Sequence, residues 1–330
     1  MPTLLLIGLG AGLASAVLFA SASSGTVLGV LVLFFLSPLP VAIAGLGWGW
    51  VPAGMAAVLG CVLVGVLGTG HAALFYAMAL GLPTAAMSYL VMLNRPVGQG
   101  EGGATGAIEW YPVGNLLAWA AMWAGCLAGA ALYTTGTDIG ELRNELRTRF
   151  EHFVASGGAL PGTQGGGLDA NQLNVFVELM VISFAGAVAT LWMSVAVLNL
   201  WVAGQVTRIS SRLARPWPDL TGIELPRRLP IAFGAAVAAT FLPGLTGLLA
   251  SGFASAILFA YMLVGLAIVH RLTRGMAVRP LVLAAVYAAL VFLSPFSNLL
   301  LALAAIAEPF SPLRRPPAPP SPPTRQIPDR

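Results

Sequence analysis

The sequence predicts an all-α protein, a polytopic bundle of about 8–10 transmembrane helices with one amphipathic helix outside the membrane. Three observations lead there. Apolar stretches close to the ~20 residues needed to cross a bilayer recur along the chain. Of 330 residues, 58% are hydrophobic and 8% charged, with a mean hydropathy of +0.86, whereas a soluble domain carries about 25% charged residues. One long polar insertion interrupts the pattern, and its apolar residues recur at helical spacing. All sixteen basic residues are arginine; against twelve acids they give +4, placed in loops and tail, so no nucleic-acid partner is expected. Cys61 and Cys126 fall singly inside apolar spans and read as small core residues.

The first span covers residues 3–20. No positive charge precedes it, and it exceeds the ~7–15 apolar residues of a signal peptide, so it is expected to remain as a helix. Gly8, Gly12, Ala16 and Ala20 recur every fourth residue, a stripe that lets another helix approach closely, from within the chain or from a membrane partner. The second span, 26–45, is broken at Pro38 and Pro40. Each proline removes a backbone donor, and in hydrocarbon the freed carbonyl needs another partner, so such a break persists only where protein packs it or a wet cavity adjoins it. The third span covers 51–68 and the fourth 72–93, with a kink expected at Pro83. The connection from Asn94-Arg95-Pro96 to Tyr111-Pro112 is glycine-rich, carries Glu101 and Glu109, and reads as a solvated loop. A fifth span, 113–133, has its own small-residue stripe at Ala121, Gly125 and Gly129.

Residues 135–172 form the polar insertion. Asp138 and Glu141 make an N-cap pair, and Ile139, Leu142, Leu146, Phe150 and Phe153 then mark the apolar side of a helix. Glu145–Arg149 and Arg147–Glu151, each at i,i+4, support its polar side. Such a helix lies along the membrane interface or covers the bundle. A glycine-rich linker, 156–167, follows; its three consecutive glycines do not join a strand to a helix, so they are not read as a phosphate loop. The sixth span, 173–206, is too long merely to cross, and runs on into Arg208, Arg212, Arg215, Arg227 and Arg228. Spans seven (231–249) and eight (253–269) are joined by a short uncharged turn. The last apolar run, 280–307, is interrupted at Ser294-Pro295-Phe296-Ser297-Asn298, and a hairpin of two short segments is expected. The organisation is a membrane domain, 1–308, with a Pro-rich tail, 309–330, expected to be disordered in water. With a cytoplasmic N-terminus, the loops holding Arg95, the Arg208–Arg228 group, and Arg271, Arg274 and Arg279 all face inward, and the insertion faces outward.

Several of these signals, in this order, resemble the YybS-like family of uncharacterised bacterial multi-pass membrane proteins. They are Pro38-Leu39-Pro40 closing an apolar helix, the outer insertion before a long span, Asn199 followed by an arginine-bearing extension, Leu225-Pro226-Arg227 leading into the next span, and a final segment closing on Glu308 and Leu313-Arg314-Arg315. Glu308 stands where that pattern has Asp, and the proline-rich tail is an addition of this chain. The family is distantly similar to the substrate-binding S components of energy-coupling factor vitamin transporters. By analogy of fold, the resemblance implies the bacterial cytoplasmic membrane, a small-molecule ligand taken from the outer face, and a membrane coupling protein with an ATPase as partners.

Ionisable and amide groups in or near spans are costly to keep, which makes them candidates for ligand binding: His71 and Glu178 near the outer face, Asn199 deeper, and Asn115 near the inner end of the fifth span. Three of the four have a plainer reading, His71 as an interfacial turn residue, Glu178 as a complement to a helix N-terminus, and Asn199 as interhelical glue. Trp48, Trp50, Trp110 and Tyr111 read as an aromatic belt. Pro38, Pro40, Pro295 and Asn298 mark two helix breaks that share a Phe-Leu-Ser-Pro tetrapeptide, at 35–38 and 292–295. The scattered His71, His152 and His270 form no catalytic or metal-binding pattern, so no enzyme and no cofactor are expected. The leading expectation is a small-molecule-binding transporter component; the alternative is a non-transporting scaffold for envelope or division proteins, using the tail and basic loops.

Overall fold

In hydrocarbon a backbone must satisfy its own donors and acceptors, and here every long apolar stretch does so as a helix. The computed structural model describes residues 2–21, 27–97, 107–156 and 169–308; the expected tail, most of the linker 156–167 and Glu101 lie outside these. Among the described residues, seven helical segments are long and apolar enough to cross a membrane, and three shorter apolar helices accompany them. The chain divides into two compact units, Met1–Ala260 and Tyr261–Arg330.

The first unit begins with α1 (Pro2–Ser21), α2 (Val27–Leu36), α3 (Leu39–Trp48) and α4 (Trp50–Leu67). The α1 stripe faces α4: a Cβ added at Gly12 would stand 2.8 Å from the Ala56 carbonyl oxygen and 3.0 Å from Leu59 Cβ, and one at Gly8 would stand 2.9 Å from Met55 Cβ. The small residues thus serve packing inside the chain, while Leu6, Leu9 and Leu13 are exposed. Between α3 and α4 the chain turns on Gly49, at φ +97°, a conformation that glycine alone adopts readily. The fourth span is continuous from α5 (Gly70–Phe75) through a π-helical turn (Tyr76–Gly81) into α6 (Leu82–Met92). The irregularity expected at Pro83 therefore appears as a π segment just before it.

The connection read as a solvated loop begins and ends as a ribbon, β1 (Asn94–Val97) paired antiparallel with β2 (Ala107–Trp110). Arg95 stands opposite Glu109 and bonds it at 2.7 Å, a cross-strand charge pair that loop composition concealed. Next come α7 (Val113–Thr135), the amphipathic α8 (Ile139–Ala155) and α9 (Ala170–Ile209). At 40 residues α9 is about 60 Å long, twice a ~30 Å hydrocarbon core, so it projects from it. Asp169 and Gln172 close its N-terminus with a complete capping box.

The boundary between spans seven and eight differs from expectation. α10 (Leu229–Ala239) is short, and the break falls at 240–244, where Pro243 and Gly244 (φ +76°) end the helix, before α11 (Leu245–Leu272). Gly252, within the turn expected between 249 and 253, lies inside α11, where a Cβ would stand 3.0 Å from Ala128 Cβ and 3.4 Å from Ala185 Cβ. Its small size admits α7 and α9 instead of reversing the chain.

In the second unit, α12 (Arg279–Phe292) and α13 (Phe296–Ala307) flank the Pro295 break. α12 starts one tight turn after α11 ends, and Glu308, following α13, returns to pair with Arg271 on α11. The expected hairpin geometry results, with arms of 14 and 12 residues.

Candidate functional site

At the break between α2 and α3 several buried polar side chains from separate helices of the first unit meet. Pro38 leaves the Phe34 carbonyl without its i+4 donor, and that oxygen accepts from Ser37 N at 3.1 Å and Ser37 Oγ at 2.8 Å. Asn199 Nδ2, from α9, donates to the next carbonyl, Phe35, at 2.7 Å and to Val195 at 2.8 Å. Ser15 Oγ, from α1, donates to the Ser37 carbonyl at 2.5 Å, and Tyr76 from the π segment meets Ser15 Oγ at 2.6 Å. Ser15, Ser37 and Tyr76 are wholly buried and Asn199 is 1% exposed. Gly60 makes room for the Tyr76 ring, since a Cβ there would collide with the phenol. Phe19 lies edge-on to Tyr76 at 5.5 Å, and Phe34 lies 5.8 Å from Phe19, so aromatic rings wall the break. Among the described residues, Asn199 Oδ1 is buried with no hydrogen-bond partner.

A second freed backbone lies alongside. Pro83 has no N–H for the Ala79 carbonyl in an α register or the Met78 carbonyl in a π register. Trp192 Nε1 of α9 donates to Ala79 at 2.5 Å, and Trp123 Nε1 of α7 donates to Met78 at 3.0 Å. Two indoles thus replace the missing donors and tie three spans together.

At one end of this unit α8 covers α9. Asp138 caps α8 by accepting from Glu141 N at 2.9 Å, and Glu141 accepts from Thr137 N and Oγ1, both at 2.7 Å. Those bonds, the hydroxyl's first, hold the Glu141 carboxyl below the usual range. Leu142, Leu146 and Phe150 are buried as expected, with Phe150 4.8 Å from Phe176; Phe153 is instead exposed, because α8 has run past the surface it packs on. The rim is polar: Arg143 Nε bonds Glu178 Oε1, Arg143 Nη2 bonds Glu178 Oε2 at 3.2 Å, and the Arg143 guanidinium is pushed above its ordinary value by the hydrogen bond. Glu145–Arg149 forms at 2.7 Å, but Arg147 bonds Asn174 in place of the expected Glu151.

The other end is built of arginines over indoles: Arg208 on Trp217 at 4.9 Å, Arg212 on Trp48 at 5.5 Å, and Arg215 near Trp110 at 5.9 Å. Arg215 is buried and donates to the Val91 carbonyl at 2.8 Å; burial lowers its guanidinium from the ordinary value.

The expected residues therefore separate. Asn199 and the Pro38/Pro40 break meet; Glu178 serves the α8 rim; His71 is exposed in the first turn of α5, and Asn115 is half-buried in the first turn of α7. In the second unit Asn298 Nδ2 reaches Ser294 Oγ at 3.3 Å across the Pro295 break, and His270 meets Tyr287 at 3.0 Å. Sequence reasoning missed Ser15, Ser37, Tyr76, Trp123 and Trp192. The signal for the tryptophans was a tryptophan in an apolar span with a proline in another. Among the described residues no group of three or more His, Cys, Asp or Glu side chains is placed to hold a metal.

These features define a polytopic α-helical integral membrane protein, in contact with the lipid bilayer through its apolar helices. Residues 13–307 match the family model of DUF2232, described as a predicted membrane protein, and the chain belongs to that family. Neither a curated protein nor a solved structure matches it.

Proposed function

We propose that the protein is the small-molecule-binding component of a transport system in the bacterial cytoplasmic membrane, with its N-terminus inside and α8 as an outer cover. The observation that carries this reading is the fastening of α8. Its apolar side packs on the bundle while its rim is held by the Arg143–Glu178 pair and the Arg147–Asn174 bond, contacts that water can replace when the cover lifts. The resemblance to S components supports the same class, with a membrane coupling protein and an ATPase as partners and no bond-making chemistry in this chain. The arginine-rich end then faces the cytoplasm, in keeping with the positive-inside rule.

The test is mass spectrometry of the protein taken out in native lipid particles. A retained metabolite, or a stoichiometric ATPase-coupled membrane protein, is expected, and Arg143→Gln should release the metabolite faster. Recovery of envelope or division proteins with no metabolite overturns the reading in favour of a scaffold.

A further inference from the structure

We propose that the α2/α3 break is a binding site for a dehydrated monovalent cation, centred on Asn199 Oδ1. This inference stands apart from the transport reading and holds for a scaffold as well.

The argument is a count of protons. Ser15, Ser37 and Tyr76 each offer one hydroxyl proton and Asn199 offers two amide protons. Ser15 gives its proton to the Ser37 carbonyl, so in the short Ser15–Tyr76 contact the phenol is the donor. Ser37 gives its proton to the Phe34 carbonyl, and Asn199 gives both of its protons to the Phe35 and Val195 carbonyls. Every side-chain proton of the cluster is spent. What remains is acceptor capacity: lone pairs on the hydroxyl oxygens, on carbonyls at the C-terminal end of α2, and above all on Asn199 Oδ1, which is buried and unpartnered.

The orientation of that amide is fixed by its two donated bonds, both to carbonyls, so exchanging its oxygen and nitrogen would set oxygen against oxygen. Asn199 is held at the break by its bond to the Phe35 carbonyl, and Oδ1, on the other arm of the same planar amide, is buried beside it. An acceptor-rich, aromatic-walled spot is satisfied by a partner that brings positive charge, and interrupted helices in membranes offer backbone carbonyls for that purpose. The cluster contains no carboxylate, and neutral oxygens alone suit one charge better than two.

The experiment uses the full chain in detergent or lipid particles, stripped of alkali salts and held at constant ionic strength with choline chloride. Titration with NaCl, KCl or LiCl should raise the midpoint of thermal unfolding saturably for at least one of them, and for Na+ the bound ion should broaden the 23Na resonance. Midpoints indistinguishable in all three salts and choline overturn the proposal and leave the break as a site for water alone. Asn199→Ala should abolish the salt response. Should that variant fail to fold, Asn199→Asp, which sets a carboxylate oxygen against the Phe35 and Val195 carbonyls in place of the donated bonds and so makes the fold depend on a cation there, should tighten cation binding by about tenfold or more. A response of unchanged affinity in Asn199→Asp overturns the placement.

Discussion

At the scale of the residue, missing backbone donors decide which side chains matter. Trp192 Nε1 is the replacement for the N–H that Pro83 cannot give to Ala79. Trp192→Phe keeps the ring and removes the bond, and should lower stability by about 1 kcal/mol, measured by reversible unfolding in mixed micelles. Glu141 behaves differently because it titrates. Its carboxyl is held low by Thr137, so the ionised form stabilises the start of α8. That contribution is full above an ordinary carboxyl value of about 4.3 and is lost as pH falls through the lower folded value. Exchange protection of the amides at 137–142 should therefore fall in acid in the native protein and stay flat over the same range in Glu141→Gln. Asn199 was legible in the sequence because an amide in hydrocarbon has few reasons to be there. Ser15, Ser37 and Tyr76 were not, because one hydroxyl in an apolar span can always bond its own helix, and only the fold brings these three to the same break.

At the scale of the element, periodicity told which stretches are helices but not which faces meet. Spacing alone lets the α1 stripe at Gly8, Gly12, Ala16 and Ala20 meet a helix of this chain, the plainer reading, or a membrane partner, and α4 supplies the inner contact at Gly8 and Gly12. Gly12→Leu should drive a side chain into the Ala56 carbonyl and cost roughly 2–3 kcal/mol, seen as a lower unfolding midpoint. Gly10→Leu is the control: a Cβ at Gly10 meets nothing within 4 Å, so its midpoint should not move downward. Loss of a bound protein in Gly12→Leu with the midpoint unchanged would show that the stripe serves an external partner after all. The α10/α11 boundary was misplaced for a related reason. A serine-glycine pair in an apolar run reads alike whether glycine turns the chain or admits a neighbouring helix, and Gly252 does the second.

At the scale of the whole molecule, the first unit has two chemically distinct ends. One carries α8 with its acids and arginines nearly balanced; the other carries Arg95, Arg208, Arg212, Arg215, Arg227 and Arg228 around Trp48, Trp110 and Trp217. The odd-even order of spans follows from the sequence, because each apolar run must reverse direction before the next. The position of α8 over α9 does not, because Arg143 and Glu178 are 35 residues apart and only folding makes them neighbours. The two ends must lie on opposite sides of the membrane if α9 crosses it, and this can be checked without a ligand. In a background with Cys61→Ala and Cys126→Ala, Arg149→Cys and Arg227→Cys are each exposed positions suited to an impermeant maleimide. In sealed cells Arg149→Cys should be labelled and Arg227→Cys should be labelled only after the membrane is opened. The reverse pattern would keep the fold and invert the orientation, which places α8 in the cytoplasm and removes the outer cover on which the transport reading rests. Labelling of both positions in sealed cells would mean that α9 does not cross the membrane between them.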